Sequence, residues 1–154
     1  MIVGVISDTH GLLRPQVMDA LQGSEHIIHA GDIGAADIIP ALGEIAPVTA
    51  IRGNVDREPW TRQYHETEVL ELAGAHLYVI HSTLWLDLDP RAAGFAAVIS
   101  GHSHQPEQIM KNGVLYFNPG SAGPRRFKLP ISVGKLEIIN GKLTGEIIEL
   151  KVDT

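Results

Sequence analysis

"IVGVISDTH", residues 2–10, is the stretch on which the reading of the whole chain turns. Ile2 to Ser7 is an uncharged run of the length of one buried strand, and it stops abruptly at Asp8-Thr9-His10. A strand that is apolar on both faces belongs in a parallel sheet covered on both sides, so helical crossovers should follow. They do. Pro15 opens a segment with Val17, Met18 and Leu21 on one helical face, stopped by Gly23. "EHIIHA" (25–30) reads as a second strand. "AADIIPALGEIA" (35–46) carries Ile38, Leu42 and Ile45 at helical spacing, with Pro40 tolerable only in the first turn. "PVTAIRG" (47–53) is a third strand, completing a β-α-β-α-β start.

The second half changes character. "ETEVLELAGAHLYVIH" (66–81) predicts two strands joined by a tight turn at Ala73-Gly74-Ala75. "EQIMKNGVLYFN" (107–118) places Asn112-Gly113 between apolar runs, a strong hairpin signal, and "ISVGKLEIINGKLTGEIIEL" (131–150) repeats it around Asn140-Gly141. A parallel βα half followed by antiparallel hairpins predicts an α/β protein with two sheets packed face to face. The longest irregular segments are 56–64 and 82–94, where function often resides.

The chain's 154 residues, 44% hydrophobic and 19% charged, suit a single domain, 1–154, with a real core. The net charge of −6 and the lack of a Lys/Arg run disfavour broad binding to nucleic acid or to an anionic membrane. With no cysteine, any metal must rest on N and O ligands. The N-terminus lacks a basic region before its apolar run, and no run approaches the ~20 residues that span a bilayer, so a cytoplasmic protein is expected.

The polar residues fall where the apolar runs end. "IVGVIS" leads to Asp8 and His10, "HIIHAG" to Asp32, "VTAIRG" to Asn54 and Asp56, "LYVI" to His81, and "AAVISG" to His102 and His104. Each has an ordinary structural explanation. Asp8 would cap a turn, Asp32 a helix, Asn54 would make a turn, and His81 would be a core histidine. Leaving Asp56 aside, seven such residues at the ends of five strands are harder to explain as seven caps, because the carboxyl ends of parallel strands form the crevice where ligands bind. Asp8/His10 and His102/His104 are each two apart, and in extended backbone such pairs point to one side. Seven N/O groups exceed the four of a structural zinc site. They suit two divalent ions with Asp32 as bridge, one completed by Asp8, His10 and His104, the other by Asn54, His81 and His102. Two ions about 3.5–4 Å apart would hold a bridging hydroxide for in-line attack at phosphorus.

"DTH" (8–10), "GD" (31–32), "GNVD" (53–56), His81 and "GHSH" (101–104) occur in the order found in the calcineurin-like metallophosphoesterases. "NPGS" (118–121) resembles the small bacterial and archaeal phosphodiesterases of that superfamily. The resemblance implies a four-layer α/β/β/α sandwich of two mixed sheets with a dimetal site at one edge. It implies Mn as the metal, with Fe, Ni, Co or Zn as alternatives, and a small phosphodiester or phosphomonoester as substrate. It also leaves a homodimer open. Asp32, Asn54, Asp56 and His102 are the expected catalytic residues. Many relatives carry a His after the Asn of the GN motif to protonate the leaving group; here that residue is Val55, so the acid is open. Asp56 is either a candidate for it or a carboxylate that makes its turn or supports the ligands. Where relatives continue with Gly-His after the sixth ligand, this chain has His81-Ser82-Thr83. Arg125 and Arg126 are candidate substrate contacts or a solvated surface pair, and Asn118 is a candidate contact or else orients ligands or makes its turn. Trp60, Tyr64 and Trp85 would line a cleft, pack their loops down or form a partner surface. Three other functions compete: a scaffold like the retromer subunit that resembles these enzymes, a phosphomonoesterase, and a nuclease.

Overall fold

The computed structural model describes residues 1–152. Two five-stranded sheets pack face to face. The first contains β1 (Ile2–Ile6), β2 (His26–His29), β3 (Val48–Ala50), β9 (Ile131–Ile139) and β10 (Lys142–Leu150), ordered β10-β9-β1-β2-β3. The second contains β4 (Thr67–Leu72), β5 (Ala75–Ile80), β6 (Ala97–Ile99), β7 (Glu107–Lys111) and β8 (Val114–Asn118), ordered β4-β5-β6-β8-β7. Both are mixed. β1, β2 and β3 run parallel, with the β9–β10 hairpin added antiparallel beside β1. β5, β6 and β8 run parallel, with β4 and β7 as antiparallel edges.

Strand alternation divides the apolar residues among three layers. Val3, Val5, Ile28, Leu77, Val79, Ile99 and Phe117 meet between the sheets. On the outer face of the first sheet, Ile6, Ile27 and Val133 pack under α1 (Pro15–Ala20) and α2 (Ile38–Leu42) through Val17, Leu21, Ile38 and Leu42. Both helices are shorter than their periodic segments. Pro40 is the third residue of α2, within the first turn, where its missing N–H breaks no helical bond.

The outer face of the second sheet, with Tyr78, Ile80 and Val98, is covered by Leu86, Leu88 and Phe95 of the 82–96 segment. The only helical piece described there is a 3-10 turn, Thr83–Trp85, so this fourth layer is a strap rather than an α-helix. Leu84, Leu86 and Leu88 alternate with a period of two, and Pro90 and Gly94 follow, a pattern that does not support a helix. No helix among the described residues is long and apolar enough to cross a membrane.

Candidate metal centre

The loops after β1, β2, β3, β5 and β6 converge at one edge of the sandwich and interlock through backbone hydrogen bonds. Asp8 N–H donates to Gly31 O (3.0 Å), His10 N–H to Asp32 O (3.0 Å), and Gly101 N–H to His81 O (2.9 Å). Close approach of backbone to side chain explains the glycine in two of the motifs. A Cβ on Gly53 would run into Oδ1 and the backbone nitrogen of Asp32, and one on Gly101 into Ser7 Oγ.

The i, i+2 pairs do not act through extended backbone, which corrects the sequence reading. Asp8, His10, Asp32, His102 and His104 all have positive φ, between 46° and 72°. Left-handed backbone is uncommon outside glycine and persists only where the surroundings hold it. In this backbone His102 and His104 go to different groups, whereas Asp8 and His10 stay together. Asp8, His10 and His104 form one group, and Asp32, His81 and His102 another; within each, the candidate ligand atoms lie within 4.8 Å of one another.

Each carboxylate is fixed by one oxygen and presents the other. Asp8 is fully buried; Oδ2 accepts from Ser7 Oγ (2.7 Å) and His102 N–H (3.0 Å), leaving Oδ1 toward His104 Nε2 (3.4 Å) and His10 Nε2 (3.8 Å). Asp32 Oδ1 accepts from Val55 N–H (3.1 Å), while Oδ2 faces His81 Nε2 (3.2 Å) and His10 Nε2 (3.7 Å). Asp32 thus stands between the groups. Ala30 O can only accept, so the proton of His81 sits on Nδ1 (2.7 Å) and Nε2 is aimed at the carboxylates.

Taking the protein's own charges alone, burial would raise both carboxyls. Proximity to His104 and His81 outweighs it at Asp8, and His81 outweighs it at Asp32, so both sit below the ordinary carboxylate value. Burial acts against the His81 imidazolium too, but Asp32 and Asp8 hold it above the usual histidine value.

Asp8 Oδ1, His10 Nε2, His81 Nε2 and His104 Nδ1 are buried without a hydrogen-bond partner. Each such atom costs about 1–3 kcal/mol unless something satisfies it. Carboxylate and imidazole donors crowded at one edge, with orphaned lone pairs, fit divalent cations.

Other expected residues take different places. Asn54 is exposed, lining a cleft beside the Asp32 group. Asp56 takes the supporting role that was the alternative to proton donor. It is buried, with Oδ2 accepting from Ile33 N–H (3.0 Å) and Gly53 N–H (2.8 Å) and Oδ1 from Gly34 N–H (3.1 Å), so it ties the loop after β3 to the loop after β2. Asn118 lines the cleft beside His102 and takes the bracing role that was its alternative. Its Nδ2 donates to Gly101 O (2.9 Å) and Ser103 Oγ (3.1 Å), bracing the loop that carries His102 and His104, and its Oδ1 accepts from Gly120 N–H (2.9 Å). Arg125 and Arg126 are exposed on the 124–130 loop, outside the linings of the clefts beside the two groups.

Sequence reasoning missed the polar layer behind the ligands. His29 Nδ1 accepts from Gly31 N–H (3.1 Å), so Nε2–H donates to Thr9 Oγ1 (3.0 Å), which donates to Ile33 O (2.7 Å). Ser121 Oγ donates to Asp8 O (3.1 Å). The available signal was a histidine beside the Ile27-Ile28 pair and a small polar residue, Ser7 or Ser100, ending an apolar run. Trp85, 51% exposed, lies against His81 (ring centroids 6.0 Å) and His102 (5.7 Å) and walls the centre on that side.

A family model for the calcineurin-like phosphoesterase superfamily domain matches residues 1–141. A "Probable metallophosphoesterase" of Methanothermobacter thermautotrophicus is 34% identical, the alignment covering 96% of this chain and 92% of that protein. Among solved structures, an archaeal phosphodiesterase superposes with TM-score 0.79 at 22% identity, covering 96% of this chain and all (100%) of the other. Vps29 complexed with Zn²⁺ from Entamoeba histolytica does so with TM-score 0.74 at 24% identity, covering 97% and 99%.

Proposed function

The chain belongs to the calcineurin-like phosphoesterase superfamily, and on that premise we propose that it is a divalent-metal-dependent hydrolase of phosphodiesters. One observation carries the reading: two carboxylate–histidine groups sit side by side, and four of their buried polar atoms have no protein partner. Asp8, His10 and His104 would hold one cation, and Asn54, His81 and His102 a second, with Asp32 between them. When bound, such cations supply Lewis-acid polarisation of the phosphoryl group and activation of water for attack, and manganese is the metal we expect.

The protein's own residues orient and enclose. Ser7 and the His102 N–H fix one oxygen of Asp8, Val55 N–H fixes one of Asp32, and Ala30 fixes the His81 ring. Ligands held this way need little reorganisation as charge develops at phosphorus. With Val55 in the GN motif and Asp56 committed to backbone N–H groups, neither of these positions offers the leaving oxygen a proton. Substrates with good leaving groups are therefore favoured. A diester is favoured over a monoester because clefts of about 580 and 500 Å³ flank the 82–86 segment, one for each ester arm.

The test is hydrolysis of bis-p-nitrophenyl phosphate by metal-stripped protein titrated with Mn²⁺, Ni²⁺ and Zn²⁺, beside Asp32→Ala and His102→Ala. Metal-restored turnover, lost in both variants, is expected. Folded protein inactive with every metal would turn the reading to a protein-binding module of this fold, an alternative suggested by the likeness to Vps29.

A further inference from the structure

The larger cleft holds a feature that the proposed chemistry leaves unused. It is lined by Arg52, Arg57 and Arg62 together with Asn54, Thr61 and Trp85. It adjoins the Asp32 group, because Gly53 backs onto Asp32 and Trp85 lies against His81 and His102. Arg57 also lines a smaller hollow of about 250 Å³ that reaches His10.

The chain has seven arginines and a net charge of −6, yet three of those arginines gather here. Two carboxylates share the cleft. Asp56 is committed to three backbone N–H groups, and Glu66 is exposed, 3.6 Å from Arg52. Among the described residues neither Arg57 nor Arg62 has a carboxylate within ion-pair distance. Arg57 Nε donates to Asn54 O (3.2 Å), which fixes the guanidinium beside the metal ligands. Three guanidinium groups around one hollow repel one another, and an anion seated among them offsets that repulsion. Planar guanidinium forks match phosphate oxygens in particular. The cleft on the other side of residues 82–86 is different in kind. Leu84, Leu86, Ile109 and Tyr116 line it, and the Nζ of its one lysine, Lys111, lies 5.3 Å from the centre of the Tyr116 ring.

We infer that the arginine cleft binds a second phosphate of the substrate, which is an asymmetric phosphodiester. One arm is a phosphorylated, nucleoside-like group with its phosphate among Arg52, Arg57 and Arg62 and a ring against Trp85. The other arm is less polar and lies toward Leu84 and Tyr116. This assignment rests on the phosphodiesterase reading for its chemistry, but not for its binding.

The experiment is calorimetric titration of the Mn²⁺-loaded protein with adenosine 3′,5′-bisphosphate and with adenosine 5′-monophosphate. It is run for the wild type, for the double variant Arg57→Gln/Arg62→Gln, and for Arg91→Gln, an exposed arginine outside the cleft. Wild type and Arg91→Gln should prefer the bisphosphate by about tenfold or more, and the double variant should fall to within about twofold. The Arg57→Lys/Arg62→Lys pair, which keeps charge without the fork, should lie between. Equal affinities in the wild type, or a preference that survives the double substitution, would overturn the inference. Hydrolysis of bis-p-nitrophenyl phosphate is followed in the same preparations. Its absence with the preference intact would strike the phosphodiesterase reading alone; its presence with no preference would strike the cleft alone.

Discussion

His29 shows how much of the centre rests on residues that touch no ligand. Its side chain is fully buried and used at both nitrogens, and burial pushes its pKa from 6.5 down to about 4. The unfolded chain takes up that proton near 6.5, and the native protein only near 4. Between those values the unfolded state binds more protons, so stability falls as pH falls through this window. The contribution is complete above about 6.5 and lost below about 4. Its size is roughly 3 kcal/mol. Denaturant unfolding at neutral pH and near pH 4 should show the wild type losing about that much more than His29→Gln. Asp56 has a comparable weight. Asp56→Ala would leave three backbone N–H groups without their acceptor, and a loss of about 2–4 kcal/mol is expected in the same assay.

At the scale of elements, three hairpins use one turn geometry with different chemistry. Asn112-Gly113 and Asn140-Gly141 have positive φ at both positions (52° and 78°, 49° and 81°), the type I′ pattern that suits the twist of paired strands. The turn between β4 and β5 has the same signs at Ala73 (47°) and Gly74 (84°), but alanine gains nothing from left-handed backbone. Ala73 is exposed, so its replacement meets no core. Ala73→Asn should therefore raise stability by about 0.5–1 kcal/mol, read as a higher midpoint in thermal unfolding. The substitution lies far along β5 from His81 and should leave metal affinity unchanged.

For the molecule as a whole, the two sheets must stay in register for the groups to exist, since Asp8 and Asp32 hang from one sheet and His81, His102 and His104 from the other. Phe117 is central to that packing. It is 1% exposed, and a Cβ on Gly134 or Gly145 of the opposite sheet would collide with its ring, so both glycines make room for it. Phe117→Ala should cost about 3–5 kcal/mol through lost burial and an unfilled cavity. It should also weaken Mn²⁺ binding, measurable by calorimetry, because β8 leads directly into Asn118 and its bonds to the 101–104 loop.

Much of this was written locally. Apolar runs of strand length, Asn-Gly turns and helical spacing after Pro15 each encode a burial pattern within a few residues, and the strands formed where those patterns lie. The polar residues ending them could be read as a set because parallel strands share one carboxyl edge. The tertiary structure alone decided what those residues do. Asp56 became a brace, Asn118 a tie and His29 a buried link, because each outcome depends on a partner brought in by packing. Ser121 and Asp8 are 113 residues apart when they meet, and the arginine cleft closes only when Trp85 of the strap comes beside residues 52–66. A hydrogen bond or a charge cluster is a relation between distant segments, and a local pattern carries only one side of it.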